Sequence, residues 1–224
     1  MAAGYFITGT DTGVGKTLVS CALLYAFTAR GKAVVGMKPV AAGCENGKWM
    51  DVELLIAASN VAVPRKWTNP YALIPPVAPH IAAKRMGIEI DTAIILQACL
   101  ELQNIAEVVI VEGIGGFLVP LNEQCDTGDM ALVLGFPVIL VVGIRLGCLN
   151  HALLTAQAIR ATGLPLAGWV ANQIDPQVIE FEENVRVLEQ RLACPLLGVL
   201  PFAQDAAAQK FSALLSISEL ELTG

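Results

Sequence analysis

The residues Gly9-Thr10-Asp11-Thr12-Gly13-Val14-Gly15-Lys16-Thr17 carry the chemistry of a phosphate cradle. Glycines free the backbone to turn its N–H groups around phosphate oxygens, and a following helix adds the positive end of its dipole. Lys16 can reach the β- and γ-phosphates of a nucleotide, and the Thr17 hydroxyl can ligate Mg²⁺. The apolar run Tyr5 to Thr8 precedes the stretch and a long apolar-periodic segment follows it, the strand, loop and helix order that such a cradle needs. The loop departs from the common pattern at two places. Thr10 stands where the first glycine is usual, with Gly9 just upstream. Asp11 stands where one group of related ATPases carries a second lysine.

Further polar residues fall at the ends of apolar runs. Lys38, in Gly36-Met37-Lys38-Pro39, would sit inside an apolar strand, where an ammonium needs an anion or a route to water. Glu112 ends the run Val108–Glu112 and precedes Gly113-Ile114-Gly115-Gly116. A carboxylate there needs a cation, which a nucleotide-bound Mg²⁺ supplies, or the amides of the following loop. Asp51 follows the polar loop Glu45–Lys48 and by position alone reads as a helix N-cap. Asn172 ends Trp169-Val170-Ala171-Asn172; its amide suits a purine edge, or a turn before Pro176. Gly147-Cys148-Leu149-Asn150-His151 opens a helix whose free N–H groups can hold a carboxylate, or one simply capped by Asn150.

The elements that must position these residues alternate along the chain. Strands are expected at Tyr5–Thr8, Ala33–Pro39, Val108–Glu112, Val138–Val142, Leu166–Asn172 and Leu196–Pro201, apolar runs in which Val, Ile and Leu recur. Helices are expected at Lys16–Arg30, Asp51–Ser59, Thr92–Asn104, Asp129–Leu134, Leu149–Thr162 and Val178–Leu192, with Gly31 and Gly163 just past two helix ends. The alternation predicts an α/β fold: a doubly wound, mainly parallel sheet flanked by helices, in one domain over residues 1–224. Ligands in such sheets sit outside the carboxyl ends of the strands. The proline-bearing stretch Asn60–Gly87 reads as a long irregular loop that either covers a substrate or is a surface excursion.

Composition removes other classes. The net charge is −6, and no basic run offers a nucleic-acid surface. The longest apolar stretch, Met130–Ile144, is interrupted by Gly135, Pro137 and Gly143 and falls short of the ~20 residues a membrane-spanning helix needs. The first strand begins within a few residues of Met1, so a cytoplasmic location is expected. Six scattered cysteines without a C-x-x-C pair read as reduced and structural. Two histidines, neither in a supporting motif, leave the chemistry to lysines, carboxylates, backbone amides and a bound ion.

Taken together, GTDTGVGKT, GMKPVAAG, VEGIGG, PVILVVGIRLGCLNHALLTAQAI, LAGWVAN and PLLGVLPF run collinearly and closely resemble the dethiobiotin synthetases of biotin synthesis. The resemblance implies an ATP- and Mg²⁺-dependent cyclo-ligase acting on 7,8-diaminononanoate and CO2 or bicarbonate. It implies catalytic roles for Lys16 and Lys38 and metal ligation by Thr17, Asp51 and Glu112. Nucleotide contacts would come from Gly13, Val14, Gly15, Lys16, Thr17 and Leu18, from Asp51, Glu112, Gly113, Ile114 and Gly115, and from Asn172, Gln173, Pro201, Phe202 and Ala203. Thr12 and Lys38 would meet the diamine or its carbamate. Gly147, Cys148, Leu149 and Asn150 of a partner chain in a homodimer would hold the substrate carboxylate. The chain differs from some members at Gly13 (acidic there), Ala42 (Ser there) and Asn184 (Tyr there), which bears on nucleotide choice and on diamine binding. A related P-loop amidoligase would need a glutaminase domain for which the chain has no room. A regulatory switch ATPase is disfavoured by Asp11 and by the short acidic end Phe211–Gly224.

Overall fold

The computed structural model describes residues 2–203 and 207–221. The strands are β1 (Ala3–Gly9), β2 (Val34–Met37), β3 (Val40–Ala42), β4 (Tyr71–Leu73), β5 (Val108–Glu112), β6 (Val138–Ile144), β7 (Leu166–Gln173) and β8 (Leu196–Leu200). The helices used below are α1 (Lys16–Ala29), α2 (Met50–Ala58), α3 (Arg65–Thr68), α4 (Pro79–Met86), α5 (Thr92–Gln103), α6 (Thr127–Leu134), α7 (Cys148–Ala161) and α8 (Phe181–Leu192). Six strands form one sheet in the order β2-β5-β1-β6-β7-β8, with every pairing parallel.

Side chains two apart in a strand share a face, and here both faces are apolar. Tyr5 and Ile7 of β1, Val108 and Ile110 of β5, and Ile139 and Val141 of β6 join the core under α1, α2 and the C-terminal segment carrying Phe211, Leu215 and Ile217. Phe6, Val109, Val111, Leu140 and Val142 join the opposite core under α4 to α8. Unbroken apolar strands are what burial on both sides requires. The strand order reverses at β1, so the loop leaving it opens onto the crevice where ligands bind in open α/β sheets.

All six expected strands and six expected helices are present, with ends shifted by up to three residues. Two readings are corrected. The strand expected at Ala33–Pro39 ends at Met37, and the chain continues as β3 in a separate two-stranded parallel sheet with β4. Pro39 has no N–H to continue a ladder, and the Lys38 N–H donates to Thr68 O at 2.7 Å instead of to β5. The stretch Asn60–Gly87 is not irregular, since it holds α3, β4 and α4. These elements are too short for a period to show in sequence, although Pro79 at the first turn of α4 is a normal helix start. Gly31 and Gly163 adopt the left-handed backbone expected past helix ends.

All six cysteines are free. Burial pushes the Cys21 and Cys99 thiols up to about 12 and that of Cys194 to about 11, so these three are unreactive near neutrality. Among the described residues, no helix is long and apolar enough to cross a membrane.

Candidate active site

The loop after β1 turns at two glycines in the left-handed region, Gly13 (φ 77°) and Gly15 (φ 94°). Gly15 is the N-cap of α1 and offers no side chain, and the first turn of α1 has no acidic residue. The first N–H groups of a helix have no partner within it, so this end is free to bind an anion. A Cβ on Gly15 would run into the Asn172 amide nitrogen, whereas one on Gly13 would meet open space. Asp11 pairs with Arg145 at 2.7 Å, and its other carboxylate oxygen accepts the Thr12 N–H at 2.7 Å. The position of the second lysine of related ATPases thus serves here to close a turn.

The β2–β5 register sets Met37 opposite Val111, which brings Lys38 beside Glu112 across 74 residues of chain. Lys38 is 2% exposed, and its ammonium donates to Glu112 Oε1 at 2.5 Å and to Gly113 O at 3.0 Å, with Asp51 Oδ2 at 3.1 Å. A lysine snorkelling to water is therefore ruled out. Burial works against the charge on Lys38, but the Glu112 and Asp51 carboxylates and their hydrogen bonds outweigh it, so its pKa rises and the ammonium is held. Asp51 is in the first turn of α2, behind its N-cap Trp49, so the capping role read from its position is replaced by the ion pair.

Glu112 Oε1 also accepts the Thr17 hydroxyl at 2.9 Å, while its Oε2 is buried with no partner. A buried carboxylate oxygen left unpaired calls for an explanation. Together with the Thr17 hydroxyl and the half-exposed Asp51 carboxylate it makes a set of hard oxygen donors, which fits Mg²⁺ carried on a nucleotide.

Lys16 folds over the loop and donates to Asp11 O at 2.9 Å. Its ammonium is pushed down to about 8, first by burial and then by the Lys38 charge, with Glu112, Asp51 and Asp11 acting in the other direction. Phosphates would raise that pKa again. Nucleotide affinity should therefore be full below pH 8 and fall above it, where binding must take up a proton. Calorimetry of Mg·ADP binding in two buffers of different ionisation enthalpy should show uptake approaching one proton at pH 9 and almost none at pH 7. Absence of uptake at pH 9 would mean that Lys16 is fully charged before the nucleotide arrives.

Thr12, Gly13, Gly15, Lys16, Thr17, Lys38, Asp51, Glu112, Ile114 and Gly115 line one cavity of about 620 Å³. Its other walls include Ala42, Val119 and Pro76 to Pro79, the last at the start of α4. The proline cluster Pro75, Pro76 and Pro79 was the available signal for that wall, without its direction. Sequence reasoning missed Asn69. Its side-chain amide, 5% exposed, donates to Lys38 O at 2.7 Å and to Tyr71 O at 3.1 Å, so segment 68–71 clamps the Lys38 backbone on both sides.

The remaining expected residues lie outside this cavity's wall. Val14 is buried, and its carbonyl accepts the Asn172 amide at 2.9 Å. Leu18 packs partly into the core under α1, and Gly113 donates its N–H to Ile7 O at 2.9 Å. Asn172 belongs to β7, paired with Gly143 and Leu200, which excludes the turn reading. Gln173 Oε1 accepts the Phe202 N–H at 3.3 Å, which ties β7 to the exposed segment Pro201, Phe202 and Ala203. Gly147, Leu149 and Asn150 line a different cavity of about 470 Å³ with Asp175, Ile179 and Asn184. Gly147, not Asn150, is the N-cap of α7, and it supplies no side-chain cap. Cys148 points into the core at 2% exposure, and its N–H bonds Arg145 O at 3.0 Å.

Comparison with known proteins bears on the family and the fold. The family model described as an AAA domain matches residues 3–210. A protein of Nitrosospira multiformis named ATP-dependent dethiobiotin synthetase BioD is 65% identical over 223 residues, 100% of this chain and 99% of that one. Its namesake in Aromatoleum aromaticum is 52% identical over 217 residues, 95% of this chain and 96% of that one. Among solved structures, the septum site-determining protein MinD of Pyrococcus horikoshii, complexed with Mg-ADP, superposes with a TM-score of 0.61 at 15% identity, over 98% of this chain and 89% of that one. An identity that low speaks for the fold alone, whereas the near-complete coverage by the sequence relatives speaks for descent. The chain belongs to the ATP-dependent dethiobiotin synthetases.

Proposed function

We propose that the chain carboxylates 7,8-diaminononanoate with CO2 and closes the ureido ring of dethiobiotin at the expense of ATP. The observation that carries this reading is the second lysine. Lys38 is buried, charged and aimed into the cavity of the phosphate loop. Nucleotide binding alone needs only Lys16 and the loop amides. A second cation held in the cavity wall suits an anionic acceptor that must approach an already anionic phosphate.

In this reading one amine of the diamine adds to CO2 and loses a proton, giving a carbamate. The carbamate oxygen attacks the γ-phosphorus and ADP leaves, giving a carbamic-phosphoric anhydride. The second amine then attacks the carbamoyl carbon, the C–O bond to phosphate breaks, and loss of a proton leaves the cyclic urea. Lys16 holds the phosphates. Lys38 offsets charge on the carbamate and anhydride oxygens, and Thr12 on the cavity wall contacts the acceptor. Thr17, Asp51 and Glu112 would hold Mg²⁺, whose part is to neutralise charge on the β- and γ-phosphates. Asn172, Gln173 and residues 201–203 would flank the adenine.

The substrate carboxylate is assigned to the start of α7 in a partner chain, within a homodimer. The uncapped helix start supports this, as do Leu146 and Ile179 at the rim of the second cavity, which are 100% and 81% exposed and apolar. The reaction belongs in the cytoplasm, where ATP is available.

Phosphate release provides the test. It should need both diamine and bicarbonate, and omission of either should lower it by at least about 100-fold, toward the background of an idle ATPase. ATP hydrolysis indifferent to the diamine would sink the ligase reading and favour a nucleotide switch.

A further inference from the structure

Lys38 and the proposed metal share their partners. The ammonium lies 2.5 Å from Glu112 Oε1 and 3.1 Å from Asp51 Oδ2. The third proposed ligand, the Thr17 hydroxyl, donates to the same Glu112 oxygen at 2.9 Å. A divalent ion drawing on these oxygens would bring two more positive charges against an ammonium already seated there. Water screens that repulsion little between Lys38 and Glu112, whose side chains are 2% and 0% exposed, and more at the half-exposed Asp51. A hydroxyl that coordinates an ion with its lone pair can keep its hydrogen bond to a carboxylate, so Thr17 presents no such conflict. Lys38 does.

We infer that Lys38 is the internal counter-ion of the Asp51–Glu112 pair and exchanges places with the divalent cation when the nucleotide brings it in. The exchange turns the ammonium away from the carboxylates toward the phosphate side of the cavity, where the anionic acceptor arrives. Metal binding and presentation of the catalytic lysine are then one event. Because the Lys38 backbone is held by Thr68 O and the Asn69 amide, the motion is confined to the lysine side chain. Two consequences follow. The site disfavours a free divalent ion, which would have to expel Lys38 without phosphates to receive it. Metal and acceptor also promote each other's binding, by linkage.

The inference rests on the reading of Asp51 and Glu112 as metal ligands and is independent of which acceptor is used. Two measurements on the whole chain test it. First, Mn²⁺ is titrated against the nucleotide-free protein by electron paramagnetic resonance. Lys38→Met should bind the ion at least about tenfold more tightly than the wild type, while Lys38→Arg should not. Second, in ¹⁵N-lysine-labelled wild type, the ammonium resonance of Lys38, assigned by its loss in Lys38→Met, should shift when Mg·ADP is added. It should stay in place when ADP is added with a chelator. Equal Mn²⁺ affinities for wild type and Lys38→Met overturn the exchange. So does tighter binding with an unmoved resonance, which would reflect charge repulsion without displacement. Should Lys38→Met fail to fold, the dependence of the wild-type spectrum on the metal decides alone, with the resonance assigned through Lys38→Arg. Neither measurement contains diamine or bicarbonate, so failure here leaves the phosphate-release test intact, and failure there leaves this one intact.

Discussion

Lys38→Ala should lower turnover by about 10³-fold or more while ATP affinity is kept or modestly tightened. The size follows from what the ammonium does. In the proposed mechanism it faces the charge that develops on transferring oxygens, and removing a single donor to such charge costs about 10²–10³-fold. A full charge facing an anionic acceptor should exceed that. Nucleotide affinity should be spared, because the proposed mechanism assigns the phosphates to the loop amides and Lys16, not to Lys38. Stability should fall as well, since Glu112 loses its charged partner inside the core, and breaking a buried pair costs about 3–5 kcal/mol. Mg·ADP should therefore raise the melting temperature of the variant by more than that of the wild type. Turnover, nucleotide affinity and melting temperature must be measured together. Equal losses of affinity and rate would make Lys38 a structural residue and remove the support for the ligase chemistry.

Gly15→Ala should abolish nucleotide binding at practical concentrations, weakening Mg·ADP by about 10²-fold or more, whereas Gly13→Ala should cost only about tenfold. Both residues have positive φ, 94° and 77°. A side chain in that region costs about 1–2 kcal/mol, which covers the Gly13 change. Only at Gly15 does the new methyl group also strike the Asn172 amide. That amide holds Val14 O at 2.9 Å, so displacing it loosens the cradle from β7. Gly15 is also the N-cap of α1, where the N–H groups meant for phosphate emerge. Calorimetric affinities of the two variants decide the matter. Equal losses would show that backbone strain alone governs the loop and that Asn172 does not buttress it.

The sequence was legible where the physics is local. The cradle could be read from Gly13, Gly15, Lys16 and Thr17 because glycine freedom and helix dipoles act over a few residues. The sheet could be read because strands buried on both faces must be apolar throughout, as in Val108–Glu112 and Val138–Ile144. The elements inside Asn60–Gly87 could not, since four residues of α3 and three of β4 are too few to display a period. Asp51 illustrates the same boundary. Its place near a helix start is local and suggested a cap; its pairing with Lys38 is not local and changed its role.

The sequence by itself determined the phosphate loop, the parallel α/β architecture and the resemblance to the dethiobiotin synthetases. It also marked Lys38 and Glu112 as charges too costly to bury alone. Only the tertiary structure decided that each is the other's partner, that Asn69 grips the Lys38 backbone, and that Pro76 to Pro79 form part of the cavity wall. The physical reason is that desolvating a charge sets a demand that a single position can reveal. What meets the demand depends on strand register, and register joins residues as far apart as Lys38 and Glu112 through packing that neither local stretch encodes.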